Sequence, residues 1–196
     1  MNVEPFSLCV YCGSRRGLQP AYAEAAHAVG REIGQRGWQL VYGGGQVGLM
    51  GIVADAALQY GARVVGVIPR VLMEREVGHA RLDEMHVVDT MHQRKQLMAH
   101  RAHAFLALPG GIGTLEELYE VWTWRQLGYH DKPIGVLNVD GFYDTLLGFM
   151  DQVRHQGFLG PEQLALVHTD TQVEPMLNAL HRLTETGTGE EDLRGI

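Results

Sequence analysis

Three glycine-containing stretches and a few charged residues beside them carry most of the chemistry legible in this sequence. The stretches are Gly13-Ser14, Gly43-Gly44-Gly45-Gln46-Val47-Gly48 and Pro109-Gly110-Gly111-Ile112-Gly113-Thr114. Glycine permits positive φ and lets a ligand approach the backbone, and a helix starting just beyond such a turn offers free N–H groups and a positive dipole end to an anion. Any one of them serves equally well as a tight strand-to-helix turn. Three on one sheet edge point to an anionic ligand there.

The middle stretch matches G-x-G-x-x-G through Gly43, Gly45 and Gly48. A dinucleotide site also needs an acidic residue about 20 positions on, at the end of the next strand. That strand ends Gly66-Val67-Ile68-Pro69, with no carboxylate for a ribose, so NAD does not fit. In the third stretch Thr114 and Glu117 read as a capping box, and Glu116, Glu117 and Glu120 suit a positive helix end. Capping leaves the three preceding glycines unexplained. Thr90-Met91-His92-Gln93 reads as another capped start, followed at once by Arg94 and Lys95. Exposed cations there oppose the helix dipole by ~0.3–1 kcal/mol each, which a bound phosphate or a nearby carboxylate would offset.

These residues need a scaffold, and the apolar pattern supplies one. Short apolar runs at about 8–12, 39–42, 64–68, 104–108 and 134–138 read as strands. Helical patterns fall at 20–35, 49–60, 91–101, 142–156 and 173–183. The first helix is expected to turn Ala23, Ala26, His27 and Gly30 inward. Fully apolar strands alternating with helices predict an α/β fold: a single Rossmann-like, doubly wound parallel sheet with helices on both faces. Residues 1–183 are expected to form this nucleotide-binding catalytic domain, and 184–196, rich in Gly, Thr and Glu, a flexible tail. A length of 196 residues, 45% hydrophobic and 20% charged, fits one such domain.

The net charge of −7 argues against nucleic acid or an anionic membrane as partner. No apolar run is long enough to span a bilayer and the start lacks signal-peptide order, so a cytoplasmic location is expected. Cys9 and Cys12 lie in one strand on opposite faces, which suits buried, reduced thiols. The ten histidines show no metal-ligand spacing; His100 and His103 find no third ligand nearby, and no metal is expected.

The run Pro109-Gly110-Gly111-Ile112-Gly113-Thr114-Leu115-Glu116-Glu117 resembles the P-G-G-x-G-T-x-x-E signature of the Lonely Guy family, the cytokinin riboside 5′-monophosphate phosphoribohydrolases. Met91-His92-Gln93-Arg94-Lys95 is similar to that family's second hallmark, and Val41 to Gly45, Gly48 to Gly51, Thr123-Trp124, Gln126 to Gly128 and Lys132 to Gly135 also look similar. The resemblance runs from Cys9 to about Leu159. It implies hydrolysis of the N-glycosidic bond of a cytokinin riboside 5′-monophosphate or AMP, with Arg94 and Glu117 as the catalytic pair and no cofactor. It implies substrate binding by Gly110, Gly111, Ile112, Gly113 and Thr114, joined by Lys95, Thr123 and Glu76, with Ser14, Gly44 and Gly45 from the neighbouring turns. At Glu76 this chain reads Glu74-Arg75-Glu76 where family members often read Pro-Arg-Glu. Short members resemble homodimers with the site near the subunit interface, where Val121, Trp122 and Trp124 either contribute or pack in the core. A prenylated base would need an apolar pocket, for which Met91, Met98 and Leu49 are candidates unless they too are core. Two rival readings remain: a nonenzymatic nucleotide-binding regulatory module, and a pyridoxal phosphate enzyme using Lys95, for which no separate cofactor pattern is visible.

Overall fold

Apolar runs of four to seven residues become parallel strands because helices cover both of their faces. The computed structural model describes residues 5–73 and 78–186. Along the chain these form β1 (Ser7–Tyr11), α1 (Pro20–Gln35), β2 (Gln39–Tyr42), α2 (Gly48–Gln59), β3 (Arg63–Pro69), α3 (Arg70–Met73), β4 (Glu84–Val88) and α4 (Met91–Arg101). Then follow β5 (Ala104–Ala107), α5 (Ile112–Gln126), β6 (Ile134–Leu137), a 3-10 turn (Val139–Gly141), α6 (Asp144–His155), α7 (Pro161–Leu164), β7 (Val167–Asp170) and α8 (Val173–Thr186).

The strands form one sheet in the order β4-β3-β2-β1-β5-β6-β7, every pairing parallel. The expected doubly wound sheet is present. Chain order reverses between β1 and β5, where Cys9 pairs with Phe105 on one side and Val41 on the other. The carboxyl ends of the strands flanking such a reversal are the usual ligand crevice of this architecture.

Two apolar clusters sandwich the sheet. One takes Ala26, Val29 and Ile33 of α1, Leu49, Val53 and Ala57 of α2, and Met176, Leu177 and Leu180 of α8. The other takes Met98 and Ala99 of α4, Leu118, Val121, Trp122 and Trp124 of α5, and Met150 of α6. Cys9 belongs to the second cluster and Cys12 to the first, both as free thiols on opposite faces. Glycine at 30 allows α1 to lie directly on α2, since a methyl there would collide with the Val53 carbonyl oxygen.

Several expectations need correction. The buried stripe of α1 is Ala26, Val29, Gly30, Ile33 and Gly34. His27 is exposed, its ring edge-on to Tyr60, and Ala23 is only partly covered, because the stripe continues toward the C-terminus. Strands β4 and β7 went unread: both are sheet edges with mixed composition, so neither shows a fully apolar run. Helix α8 continues to Thr186, with the Thr184 hydroxyl donating to the Leu180 carbonyl, so residues 184–186 are helical. Residues 187–196 of the expected tail, and Glu76, lie outside the described residues.

Candidate active site

Main-chain hydrogen bonds tie the three glycine turns to one another. The Gly13 amide donates to the Pro109 carbonyl at 3.1 Å, and the Leu49 amide to the Gly13 carbonyl at 2.9 Å. Gly48, with φ 63°, lies so close to Ser14 and Arg15 that a side chain would strike their backbone. Two cavities sharing Ser14, Gly111 and Ile112 open at this junction. The larger, about 480 Å³, is also lined by Gly13, Arg15, Arg16, Tyr22, Leu49 and Phe142. The smaller, about 170 Å³, reaches Cys12, Met50, Arg94, Gly113, Thr114 and Glu117.

The start of α5 differs from the sequence reading. Gly111 is the N-cap, in extended conformation, with no side-chain cap, and its carbonyl accepts from the Leu115 amide. Thr114 and Glu117 therefore sit inside the helix and form no capping box. The helix begins as soon as the chain leaves the extended Gly111, three residues before Thr114. Glu117 is thereby free of a capping duty, buried at 8% exposure on the cavity wall.

The three glycines before it have different reasons. A methyl on Gly110 would collide with the Thr114 hydroxyl. On Gly111 or Gly113 a methyl would meet nothing in the protein, and neither has a positive φ. The packing of the chain itself therefore does not require glycine at either position. Gly113→Ala is accordingly expected to keep or gain stability, by up to ~1 kcal/mol from helix propensity, yet to raise the KM for the ligand about tenfold or more. Urea denaturation and steady-state kinetics together check this; a KM that stays put would remove the close approach from the site.

Helix α4 opens with the expected capping box: the Gln93 amide donates to Thr90 Oγ1 at 3.1 Å, and Gln93 Oε1 accepts from the Thr90 amide at 3.2 Å. Arg94, one turn in, is 6% exposed. Its Nε donates to the Val67 carbonyl at 3.1 Å and its Nη2 to the Gly43 carbonyl at 3.2 Å, while Nη1 lies 4.0 Å from Glu117 Oε1. Strand-end carbonyls and a carboxylate thus offset the dipole penalty that the sequence raised. Gly43 is essential to this arrangement, since a methyl there would collide with Nη2. Lys95 turns to α5, pairing with Glu116 and with Glu120, the latter at 2.9 Å. Burial acts to lower its pKa, but the hydrogen bonds it donates to the two glutamates outweigh this and raise it.

Of the residues expected in the site, the structure brings together Ser14, Arg94, Gly110, Gly111, Ile112, Gly113, Thr114 and Glu117. Lys95, Thr123, Gly44 and Gly45 do not line either cavity. Thr123 is exposed far along α5. Gly44, at φ 76°, accepts from the His79 amide, and Gly45 bridges to Gly78. Leu49 is at the cavity wall, Met98 is in the core and Met91 is exposed. Val121, Trp122 and Trp124 are core residues, with the Trp122 indole donating to the Gln163 carbonyl. Reading the sequence missed Arg15, Arg16, Tyr22 and Phe142; only the adjacency of two arginines to a glycine turn hinted at the first two.

The far end of α5 is pinned by His130, which bonds the Val121 carbonyl through Nε2 and accepts the Lys132 amide at Nδ1. Burial pushes its pKa from 6.5 to about 4, with Lys132 and Arg125 acting in the same direction and the Val121 bond against. The neutral ring is therefore favoured by folding. Stability should be full above about pH 6.5 and fall as pH drops toward 4, by up to ~1.4 kcal/mol per unit. Denaturant midpoints at pH 7 and pH 5 measure this, and His130→Gln, which takes no proton, should show a flatter response.

A doubly wound parallel sheet with two adjoining cavities at its reversal point, the smaller walled by an arginine and a glutamate, defines a Rossmann-like α/β protein with its candidate ligand site at the switch point. Residues 50–180 match the family described as "Possible lysine decarboxylase". The chain belongs to that family, the Lonely Guy family that its motifs resemble. It is 54% identical over 154 residues to the cytokinin riboside 5′-monophosphate phosphoribohydrolase LOG7 of Arabidopsis thaliana, covering 79% of this chain and 71% of the relative. It is 52% identical over 160 residues to the LOG enzyme of Oryza sativa subsp. japonica, covering 82% and 66%. Among solved structures, the molybdenum cofactor carrier protein of Chlamydomonas reinhardtii superposes with a TM-score of 0.70 at 20% identity, over 94% of this chain and 100% of that one. The molybdenum cofactor binding protein of Rippkaea orientalis gives 0.69 at 18%, over 93% and 99%. These two likenesses concern the fold alone. Among the described residues, no helix is long and apolar enough to cross a membrane.

Proposed function

We propose that this protein is a nucleoside 5′-monophosphate phosphoribohydrolase, acting on cytokinin riboside 5′-monophosphate or AMP to release the free base and ribose 5-phosphate. The carrying observation is the Arg94–Glu117 pair on the wall of the smaller cavity, joined through Ser14, Gly111 and Ile112 to the larger one. Water adds to C1′ of the ribose as the C1′–N bond breaks, its electrons and a proton going to the departing base. Positive charge builds on the sugar, and Glu117 stabilises it or takes the proton of the attacking water. Arg94, fixed by two carbonyls, holds Glu117 and the substrate in register. The free amides at the start of α5 hold the 5′-phosphate and turn remote binding energy into alignment.

A Schiff-base decarboxylase does not fit these residues. The chain's two lysines are occupied elsewhere: Lys95 stays charged between Glu116 and Glu120, and buried Lys132 donates to the Ala99 carbonyl. The enzyme would act in the cytoplasm, a setting suited to two buried free thiols whose pKa values are raised by burial. It would act as a homodimer, the state that the family resemblance implies.

Incubating the protein with AMP and with isopentenyladenosine 5′-monophosphate, and quantifying free base by chromatography, tests the function. Base release establishes the reaction, and the ratio of rates ranks the substrates. Retention of both nucleotides without release would instead identify a nonenzymatic regulatory module.

A further inference from the structure

The larger cavity carries two positive charges that nothing in the fold uses. Arg15 and Arg16 line it, directly after the Gly13-Ser14 turn. Among the described residues neither has a hydrogen-bond or ion-pair partner. Among the described residues the other arginines before α8 are engaged: Arg31 and Arg36 with Glu32, Arg63 and Arg101 with Glu84, Arg70 with Asp89, Arg81 with Asp55, Arg94 with Glu117, Arg125 with the Leu166 carbonyl and Arg154 with Asp151. In a chain of net charge −7, two adjacent arginines left without carboxylates are an exception.

Their backbone is held firmly even though their side chains are not. Gly13 is bonded to both neighbouring turns, Gly48 packs under Ser14 and Arg15, and Gly17, at φ 73°, lies against the Tyr22 ring. Tyr22 in turn meets Phe142 edge-on, with ring centroids 5.5 Å apart. Two guanidinium groups therefore hang from a fixed loop at the larger cavity, which adjoins, through Ser14, Gly111 and Ile112, the smaller cavity that holds the Arg94–Glu117 pair. Guanidinium forks match phosphate oxygens bidentately, and mutual repulsion between the two is relieved by a dianion shared between them.

We propose that Arg15 and Arg16 form a clamp on the substrate's 5′-phosphate, making this site select the dianionic nucleotide over the uncharged nucleoside. The clamp rests on the proposed hydrolysis of a nucleoside monophosphate, and adds side-chain recognition to the amides at the start of α5. It acts on binding and leaves the chemical step to the floor of the site.

The test compares the full-length wild type with an Arg15→Ala/Arg16→Ala double variant and an Arg15→Lys/Arg16→Lys variant. In the alanine variant the KM for AMP is expected to rise about tenfold or more while kcat moves less than about threefold. Adenosine affinity, measured by calorimetry, should not change. The salt dependence of the AMP KM should flatten, and so should its rise as the phosphate dianion takes up a proton near pH ~6. The lysine variant should recover much of the loss. Equal weakening of AMP and adenosine, or an unchanged KM for AMP, overturns the clamp. If the wild type releases no base at all, the proposed function fails but the clamp is still decided. Ribose 5-phosphate must then bind the wild type about tenfold more tightly than the alanine variant, and equal affinities refute it.

Discussion

Glu117→Gln is expected to leave AMP bound and its glycosidic bond intact, with base release falling by about 10²–10⁴-fold, the range for removing a positioned general base. The substitution keeps size and hydrogen bonding but removes the charge that faces the developing positive sugar. The fold should survive it, because α5 is started by Gly111 and makes no use of the Glu117 carboxylate as a cap. Arg94 also keeps its bonds to the Val67 and Gly43 carbonyls. Chromatographic turnover assays, calorimetry with AMP and a thermal melt separate the possibilities. Turnover retained within a few-fold would remove Glu117 from the chemistry, whereas a collapsed melt would return it to a structural role.

Gly43→Ala should be nearly as damaging although it touches no reacting atom. The added methyl occupies the space of Arg94 Nη2, so the guanidinium must leave the Gly43 carbonyl and swing away from Glu117. Misplacing a catalytic group by about 1 Å costs roughly 10²-fold in rate, and overpacking this buried junction adds a stability loss of ~1–3 kcal/mol. A fall in kcat with little change in KM is the signature expected. Gly113→Ala should give the reverse pattern, a raised KM with stability kept. If Gly43→Ala turns over normally, the held geometry of Arg94 is not needed.

Much of this architecture was legible in the residues. The patterns at 20–35, 39–42 and 91–101 coincide with α1, β2 and α4 because local chemistry marks their ends: Pro20 at the first turn, Gly37 at φ 66° before β2, and the Thr90–Gln93 box. Edge strands lacked such marks, since half-exposed β4 and β7 need no apolar run. Motif positions singled out Arg94 and Glu117, which the structure brings together on one cavity wall, but motif membership does not say which way a side chain faces. Lys95 stands next to Arg94 in the chain and faces the same helix, yet it pairs with Glu116 and Glu120 outside both cavities; Gly44 and Gly45 stand next to Gly43 and pair with His79 and Gly78 instead. Thr114 and Glu117 show the opposite ambiguity. A capping spacing was present, yet a glycine that adopts extended backbone just upstream started the helix first. Arg15 and Arg16 gave almost no signal, because paired arginines in a loop read as solvated charge until a cavity is found beneath them.

The hydrogen bonds that join the Gly13, Gly48 and Pro109 turns run entirely through main-chain atoms. The floor of the site is therefore indifferent to which side chains stand around its opening. On the proposed function, exchanging Arg15, Arg16 or Ile112 is expected to leave Arg94 and Glu117 in place, which would make what the site admits and how it cleaves separable properties. A different base or a weaker phosphate requirement would then be sought on that rim.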